Sequence, residues 1–380
     1  MTTTNKGTSR SIVVCSLEAW DEVWRRNQFL VDGLLRADAG LDVLFVEPAV
    51  DLPYELAHGR RPSRTGLRHL ADEPRVSLFR PRKLVPRRVA GDSVDARRGQ
   101  AVASAVARLG LASPLLWIND ASYAALAEQV AWPVAYDITD DWLLAGKPGS
   151  ANIRLRRDDA RLLRRAEEVV VVSESLAASR RTLRAGLNVI PNAVDVGHFR
   201  RPRPRPVDLP AGKVALYVGT QHDERVDVEL CMAIARAISP AKLVFVGPNC
   251  MSEGSTDRLL EEGCVLLGPR PYDDVPAYYQ HADLVLVPHL VSPFTESLDP
   301  IKGYECLAVG RPTLSTPVAG MRDLGPPIEV CFADKFAGRA RELLAQDLPA
   351  RPGSPPTWAQ RAEAFAMVLD NARKKRANSS

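Results

Sequence analysis

No cysteine pair in this sequence has the spacing of a metal or redox site. Cys15, Cys231, Cys250, Cys264, Cys306 and Cys331 form no C-x-x-C, and most lie in or beside apolar runs. They read as small buried hydrophobes in a reducing compartment, and no zinc site is expected. No apolar run reaches the roughly 20 residues that cross a bilayer. The first ten residues are polar and lack the apolar stretch of a secretory leader, so a cytoplasmic location is expected. An excess of one charge is also missing: 50 basic against 46 acidic side chains leave +4, too small a field for a dedicated nucleic-acid binder. There is no G-x-x-x-x-G-K-[ST] loop, no G-x-G-x-x-G after the first strand, no H-E-x-x-H and no G-x-S-x-G, which weighs against ATPases, dehydrogenases, zincins and ordinary hydrolases. The histidines, His58, His69, His198, His222, His281 and His289, are scattered. Each reads as a surface or internally satisfied side chain.

What remains is a chain of 380 residues, 46% hydrophobic and 25% charged, with a mean hydropathy of -0.14. That is an ordinary globular composition, long enough for two domains. Short Val/Ile/Leu runs at 11–16, 41–46, 76–79, 114–118, 134–137, 168–172 and 187–190 alternate with amphipathic stretches. Strands buried on both faces need such near-continuous apolar runs, so the pattern predicts parallel βαβ units. The rhythm breaks at Arg200-Arg-Pro-Arg-Pro-Arg-Pro206. Alternating proline holds the backbone extended and removes amide donors, giving a stiff linker; a nucleic-acid arm is the other reading, but no aromatic residue is interleaved. Strands resume at 214–218, 242–246, 264–267, 284–287 and 313–315. The expected fold is therefore α/β, two Rossmann-like doubly wound domains facing across a cleft, with the carboxyl ends of the strands and their loops carrying the chemistry. The expected boundaries are an N-terminal domain at 1–200, a hinge at 201–210, a second domain at 211–350, and a C-terminal helix with a basic tail at 351–380 that packs back toward the first domain.

The most informative stretch is 292–312. A polar loop runs into a helix start at Asp299-Pro300, where proline suits the first turn and the free amides of Ile301 and Lys302 would face an anion. Lys302 adds a full charge to the same helix end. Glu305, one turn on, could accept hydrogen bonds from ribose hydroxyls. The plainer alternative is a capped helix with a surface Lys-Glu pair.

The string Asp299-Pro-Ile-Lys-Gly-Tyr-Glu-Cys-Leu-Ala-Val-Gly-Arg-Pro312, with Asn188-Val-Ile-Pro-Asn-Ala-Val-Asp195 and Val170-Val-Val-Ser-Glu-Ser-Leu176, resembles the GT-B glycosyltransferases of family 4. The nearest likeness is to the teichuronic-acid-type branch, and it runs from Val13 to about Asp323. The resemblance implies that the second domain binds a nucleotide sugar (UDP-, GDP- or TDP-linked), that the first binds the acceptor, that the anomeric configuration is retained, and that no metal or other cofactor is needed. Glu305 matches the ribose-binding second Glu of the family's Glu-x7-Glu motif. The first Glu is replaced by Ser297, so Glu296 or Asp299 would have to orient the sugar. The family's loop after the first strand of the nucleotide domain carries an Arg and a Lys; here Gly219-Thr-Gln-His-Asp-Glu-Arg-Val-Asp227 offers Arg225, with Lys302 as the second cation. The donor set implied is thus Gly219, Arg225, Ser297, Asp299, Ile301, Lys302 and Glu305, with Arg225 and Lys302 also assisting departure of the diphosphate.

On the acceptor side the likeness is looser. Trp20, Arg25 and Arg26 lie where relatives have phosphate-approaching glycines, and exposed helix-start arginines are the alternative. Asn119 and Asp120 follow a strand where many relatives place a catalytic His; Asp137 occupies a second polar position. Asp137 and Asp120 are the expected acceptor-side carboxylates. The cluster Asp137-Ile-Thr-Asp-Asp141 also fits a divalent cation, but its position in the acceptor domain and helix capping argue against one. The basic stretches at 79–88 and 154–165 fit anionic lipid, although Asp158 and Asp159 interrupt the second in the manner of a solvated helix face, so membrane contact is not favoured. The acceptor is read as either a natural product, of the antibiotic-biosynthesis kind, or a cell-envelope molecule. An epimerase or hydrolase on the same scaffold, and a non-catalytic nucleotide-sugar binder, are the competing functions. Oligomeric state is left open.

Overall fold

The computed structural model describes residues 10–59, 61, 63–85, 91–144 and 149–379. The chain divides into two units: Met1–Asp21 with Arg25–Ile190 and Ala362–Ser380, and Glu22–Trp24 with Pro191–Arg361. Each unit is built on its own parallel sheet, as the alternating apolar runs predict.

The first unit's strands are β1 (Arg10–Cys15), β2 (Leu41–Val46), β3 (Val50–Asp51), β4 (Gly66–His69), β5 (Val76–Arg80), β6 (Arg82–Lys83), β7 (Leu115–Ile118), β8 (Val134–Ile138), β9 (Glu168–Val171) and β10 (Asn188–Val189). Eight of them form a sheet in the order β10-β9-β8-β7-β1-β2-β5-β4, while β3 and β6 pair as a separate ribbon. Every pair in the large sheet is parallel except the edge pair β4–β5. Strand alternation sends Val13, Cys15, Leu116, Ile118, Val134 and Tyr136 into one apolar core. On strand β7 the intervening Trp117 meets Phe365 of the C-terminal helix Trp358–Asn378, ring centroids 4.5 Å apart.

The second unit's strands are β11 (Val214–Val218), β12 (Lys242–Val246), β13 (Val265–Gly268), β14 (Leu284–Val287), β15 (Thr313–Ser315) and β16 (Ile328–Val330). They are wholly parallel, in the order β13-β12-β11-β14-β15-β16. Val214 and Leu216 enter one core and Ala215 and Tyr217 the other, so the sheet is apolar on both faces. That period of two explains why its sequence reads as unbroken Val/Leu/Ile.

Several sequence expectations are revised. The Pro/Arg segment at 201–210 lies inside the second unit and is tied to the helix Val275–His281: Gln280 accepts from the Arg203 amide at 2.9 Å and donates to the Arg201 carbonyl at 2.8 Å. The division between units falls at Ile190 and Pro191 instead. All six cysteines are free thiols, but Cys250 is exposed and Cys331 half-buried, so only four are core residues. Of the basic stretches, Arg80 binds Glu47, Arg157 binds Asp92 and Arg161 binds Glu128. The expectation of a leaderless start falls on residues 1–9, which together with 86–88 of the first basic stretch lie outside the described residues. Among the described residues no helix is long and apolar enough to cross a membrane.

The loop after β1 is held by a buried ion cluster. Glu47, directly after β2, has a fully buried carboxylate that accepts from Arg68 at 2.6 and 2.9 Å, from Arg80 at 2.9 and 3.1 Å, and from the Trp20 amide at 3.1 Å. Burial pushes this carboxyl up, but the bonds from Arg68 and then Arg80 outweigh it and leave it below its usual 4.5. Its contribution to stability is therefore present above about pH 4.5 and lost as pH falls through the lowered value. Glu47→Gln leaves two guanidinium groups facing a neutral amide and is expected to cost about 3 kcal/mol at pH 7. Urea denaturation of both proteins checks this, with the gap closing below pH 4.

Candidate functional site

Three neighbouring strands of the second sheet finish in glycines. Gly219 after β11, Gly247 after β12 and Gly268 at the end of β13 have φ of 133, 135 and 75°, a range that L side chains rarely adopt. A Cβ on Gly247 would stand 2.3 Å from the Gly219 carbonyl oxygen. The carboxyl edge of this sheet is thus bare main chain, which is how open α/β sheets admit a ligand.

The helix Ile301–Val309 starts at this edge. Pro300 is its N-cap, and Gly310 ends it at φ 78° with its amide on the Cys306 carbonyl at 2.8 Å. Its first turn is fixed by two close packings: a Cβ on Gly303 would meet Leu324 Cδ1 at 2.5 Å, and one on Gly320 would meet Pro300 Cδ at 2.5 Å. The Asp299 carboxylate accepts from the Asn192 amide and from Tyr304 Oη at 2.8 Å. Asn192 is thereby bonded to the helix entry, an arrangement that neither stretch of sequence discloses alone.

Lys302 reaches from the second helical residue back over the sheet edge. Its Nζ donates to Tyr217 Oη at 2.9 Å, lies 3.2 Å from His289 Nε2 and stands 4.1 Å from the centroid of the Tyr217 ring. A Cβ on Gly219 would come within 3.2 Å of it, so a side chain there would crowd the amine. Among the described residues no carboxylate lies within ion-pair distance of Lys302. Burial first, and the charge of Arg225 second, lower its pKa to about 7. The Arg225 guanidinium rests 5.3 Å from the centroid of Phe294. Glu305 accepts from Tyr279 Oη at 2.7 Å, and burial raises it to about 6 despite that bond and the Lys302 charge. The site thus gathers two cationic groups, a helix start and one reluctant carboxylate. Such a group is suited to a polyanion.

The structure brings Gly219, Lys302, Ile301 and Glu305 to one helix end, with Arg225 in the loop after β11. It does not free a substitute for the missing first Glu. Ser297 is buried and donates to the Phe294 carbonyl at 2.7 Å, Glu296 is bound by Arg322 at 2.7 and 3.0 Å, and Asp299 holds Asn192 and Tyr304. Both proposed replacements are engaged elsewhere, Asp299 as a structural tie and Glu296 as a loop anchor. Tyr217, which no sequence motif marks, and His289, which reads from sequence as a surface or internally satisfied side chain, are the immediate neighbours of Lys302. His289 follows β14 at the same carboxyl edge, a position that could have singled it out.

In the first unit, Asp137 is fully buried and paired with Arg26, itself 4% exposed, through two bonds of 3.2 Å. The carboxylate expected on the acceptor side is thus closed in by a guanidinium and supports Arg26. Asp120 caps the turn Ala121–Tyr123 through the Ser122 amide at 2.9 Å. Asn119 is buried; its Oδ1 accepts from Asn27 at 3.0 Å and from the Leu17 amide at 3.3 Å, and its Nδ2 donates to the Asp137 carbonyl at 3.1 Å. It locks the loop after β1 in place. Arg25 pairs with Asp21 at 3.0 Å, and the Trp20 ring stands edge-on to Phe45 at 5.0 Å. Asp141 is bound by Arg180 through two bonds of 2.9 Å. Of the three carboxylates that raised the divalent-cation reading, Asp137 and Asp141 are held by arginines, and Asp140 accepts from Thr139 Oγ1 at 3.4 Å.

Comparison with known proteins bears on the family and the fold. Residues 212–346 match the family described as glycosyl transferases group 1. A putative teichuronic acid biosynthesis glycosyltransferase of Bacillus subtilis (strain 168) is 24% identical over 218 residues, 53% of this chain and 55% of the relative. The chain therefore spans about half the length of that curated relative. Among solved structures, sucrose-phosphate synthase from Thermosynechococcus elongatus is similar with a TM-score of 0.66 at 18% identity over 97% of each chain. The trehalose-6-phosphate structure from E. coli bound with UDP-2-fluoro glucose gives 0.59 at 12% identity over 96% of each. These likenesses show the same α/β architecture with parallel sheets, that of GT-B glycosyltransferases.

The site carries a stability cost that can be measured. With the Glu305 pKa raised from 4.5 to about 6, the folded state gains from its protonated form and loses that gain as pH rises from 4.5 through 6. Glu305→Gln removes the penalty of the ionised form, by at most about 2 kcal/mol. Thermal melts at pH 7.5 should place the Gln protein a few degrees above wild type, with the difference vanishing near pH 4.

Proposed function

We propose that this chain is a nucleotide-sugar-dependent glycosyltransferase whose second unit holds the donor's diphosphate at the start of the helix Ile301–Val309. The observation that carries the reading is the Lys302 amine, set over Gly219 with no carboxylate partner among the described residues, beside the free first amides of a helix. A diphosphate supplies the negative charge such a group lacks. Arg225 would bind the same anion from the loop after β11, and Glu305 would accept from ribose hydroxyls. The match of residues 212–346 to glycosyl transferases group 1 supports this placement of the donor.

In the reaction the diphosphate is the leaving group, and its negative charge grows as the sugar's bond to it breaks. Groups fixed before that moment stabilise the developing charge without reorganising, the electrostatic effect that dominates such steps. Lys302, Arg225 and the amides of Ile301 and Lys302 would do so. Retention is the favoured stereochemistry: Asp137 is locked to Arg26 and Asp120 caps a turn, which leaves an oxygen of the departing phosphate to take the acceptor's proton on the face it vacates. Inversion would call for a protein base. No cofactor or metal is part of this reading. The teichuronic acid relative favours a cell-envelope acceptor over a natural product, and the UDP-2-fluoro glucose complex favours UDP as the carrier. Turnover of the nucleotide sugar with no acceptor present would instead mark an epimerase or hydrolase, and binding without any turnover a non-catalytic relative.

Thermal-shift measurements with UDP, GDP and TDP test the donor site. A ligand at about 100 times its Kd adds about 2.7 kcal/mol to the folded state, so one of the three should raise the melting temperature by several degrees. Lys302→Ala should lower kcat about 100-fold or more, with a smaller change in KM. Glu305→Ala should raise KM for the donor. If neither substitution alters binding or transfer, the donor lies elsewhere.

A further inference from the structure

Among the described residues the Lys302 amine is held by two neutral side chains and no counter-ion, and one of the two is tied to the other cation of the site. His289 is 3% exposed. Its residue forms an antiparallel bridge with Val226, and the pairing extends on both sides: the Asp227 amide donates to the Pro288 carbonyl at 2.9 Å, and the Leu290 amide to the Arg225 carbonyl at 2.8 Å. Thr316 Oγ1 donates to the His289 carbonyl at 2.7 Å. The loop that carries Arg225 and the segment that carries His289 are thus zipped together. The side chain of His289 then meets Lys302 Nζ at 3.2 Å and Tyr217 Oη at 3.3 Å.

The direction of these bonds follows from chemistry. A protonated amine donates, so Nε2 of the imidazole must accept, and the neutral ring carries its proton on Nδ1. Tyr217 Oη accepts from the amine and turns its own hydrogen toward Nε2 or toward the Thr220 carbonyl at 3.4 Å. The charged and titratable groups facing the amine are Arg225 from the loop after β11, Glu305 and Cys306 from its own helix, and His289 and Tyr217 from the sheet edge. Tyr279, on the helix Val275–His281, faces Glu305. Burial and the cations Lys302 and Arg225 hold His289 well below its usual value, so the ring stays neutral through the physiological range.

We propose that His289 is a positioning residue that aims the Lys302 amine at the donor's diphosphate, on one mount with Arg225, and that the amine takes up a proton from solvent when that diphosphate binds. The inference rests on the donor site described above and deepens it. His289 is too buried to touch the donor itself, and it acts through Lys302. Because the amine in the free protein is near half-protonated around neutrality, an arriving anion raises its affinity for a proton, and each binding event draws up to one proton from the buffer. Affinity then falls as pH rises above about 7, by up to tenfold per unit.

Isothermal titration of the full chain tests this, using inorganic pyrophosphate and whichever of UDP, GDP or TDP stabilises the protein most. Titrations at pH 7.5 to 8 in buffers of different ionisation enthalpy read the number of protons taken up. Wild type should take up about half a proton or more, and Lys302→Arg, permanently charged, close to none while still binding. His289→Leu should weaken binding about tenfold, and His289→Gln, whose side-chain oxygen can accept from the amine, should recover most of the loss. Circular dichroism confirms that each variant is folded. Binding without proton uptake in wild type, uptake that persists in Lys302→Arg, or a Leu variant that binds like wild type overturns the inference and leaves the donor site standing. Failure of every diphosphate to bind wild type overturns both.

Discussion

An amine held against bare main chain, with neutral neighbours and a second cation close by, is the constraint around which the second unit is arranged. Each feature of the sheet edge follows from it. Gly219 has a φ of 133° that L side chains rarely adopt, and a Cβ there would press on Lys302 Nζ at 3.2 Å; Gly247 must lack a side chain because the Gly219 carbonyl fills that space. Gly303 and Gly320 let the helix start sit hard against the loop before Leu324, so the lysine leaves the first turn from a fixed point. Asp299, bonded to Asn192 and Tyr304, secures the same turn from the other side. A cation placed in this way is unfavourable in the free protein, as its lowered affinity for a proton shows. Functional sites commonly retain such destabilised groups, and a bound anion relieves them.

The fold could be read almost completely from the chain because buried parallel strands need unbroken apolar runs, and every such run in the sequence became a strand. What escaped was polar or irregular: the antiparallel edge strand Gly66–His69, the two-residue ribbon strands and the short strand Ile328–Val330 have no long apolar stretch to mark them. The proline-rich segment shows the converse. Alternating proline fixes the backbone as extended, but whether an extended segment is a hinge or a strap depends on what it touches, here Gln280 and the helix that carries it.

The same limit applies to the site. Lys302 and Glu305 were legible because helix-start chemistry is local: proline, free amides and a charge within one turn. His289 and Tyr217 were not, since they reach the lysine from residues 13 and 85 positions away in sequence. Asp137 and Arg26 were both singled out as acceptor-side groups, yet the sequence gives no sign that they lie against each other across 111 positions. Once paired, each satisfies the other, and the pair becomes part of the scaffold that sets the loop after β1, together with Asn119 and the Glu47 cluster. Buried ion pairs of this kind fix geometry more than they add stability.

A crystal structure of the protein with a bound nucleoside diphosphate tests this placement of the donor. The β-phosphate is expected within hydrogen-bonding distance of Lys302 Nζ and of the Ile301 and Lys302 amides, with the ribose hydroxyls on Glu305. A diphosphate lodged away from this helix start, with Lys302 still bonded only to Tyr217 and His289, would contradict it.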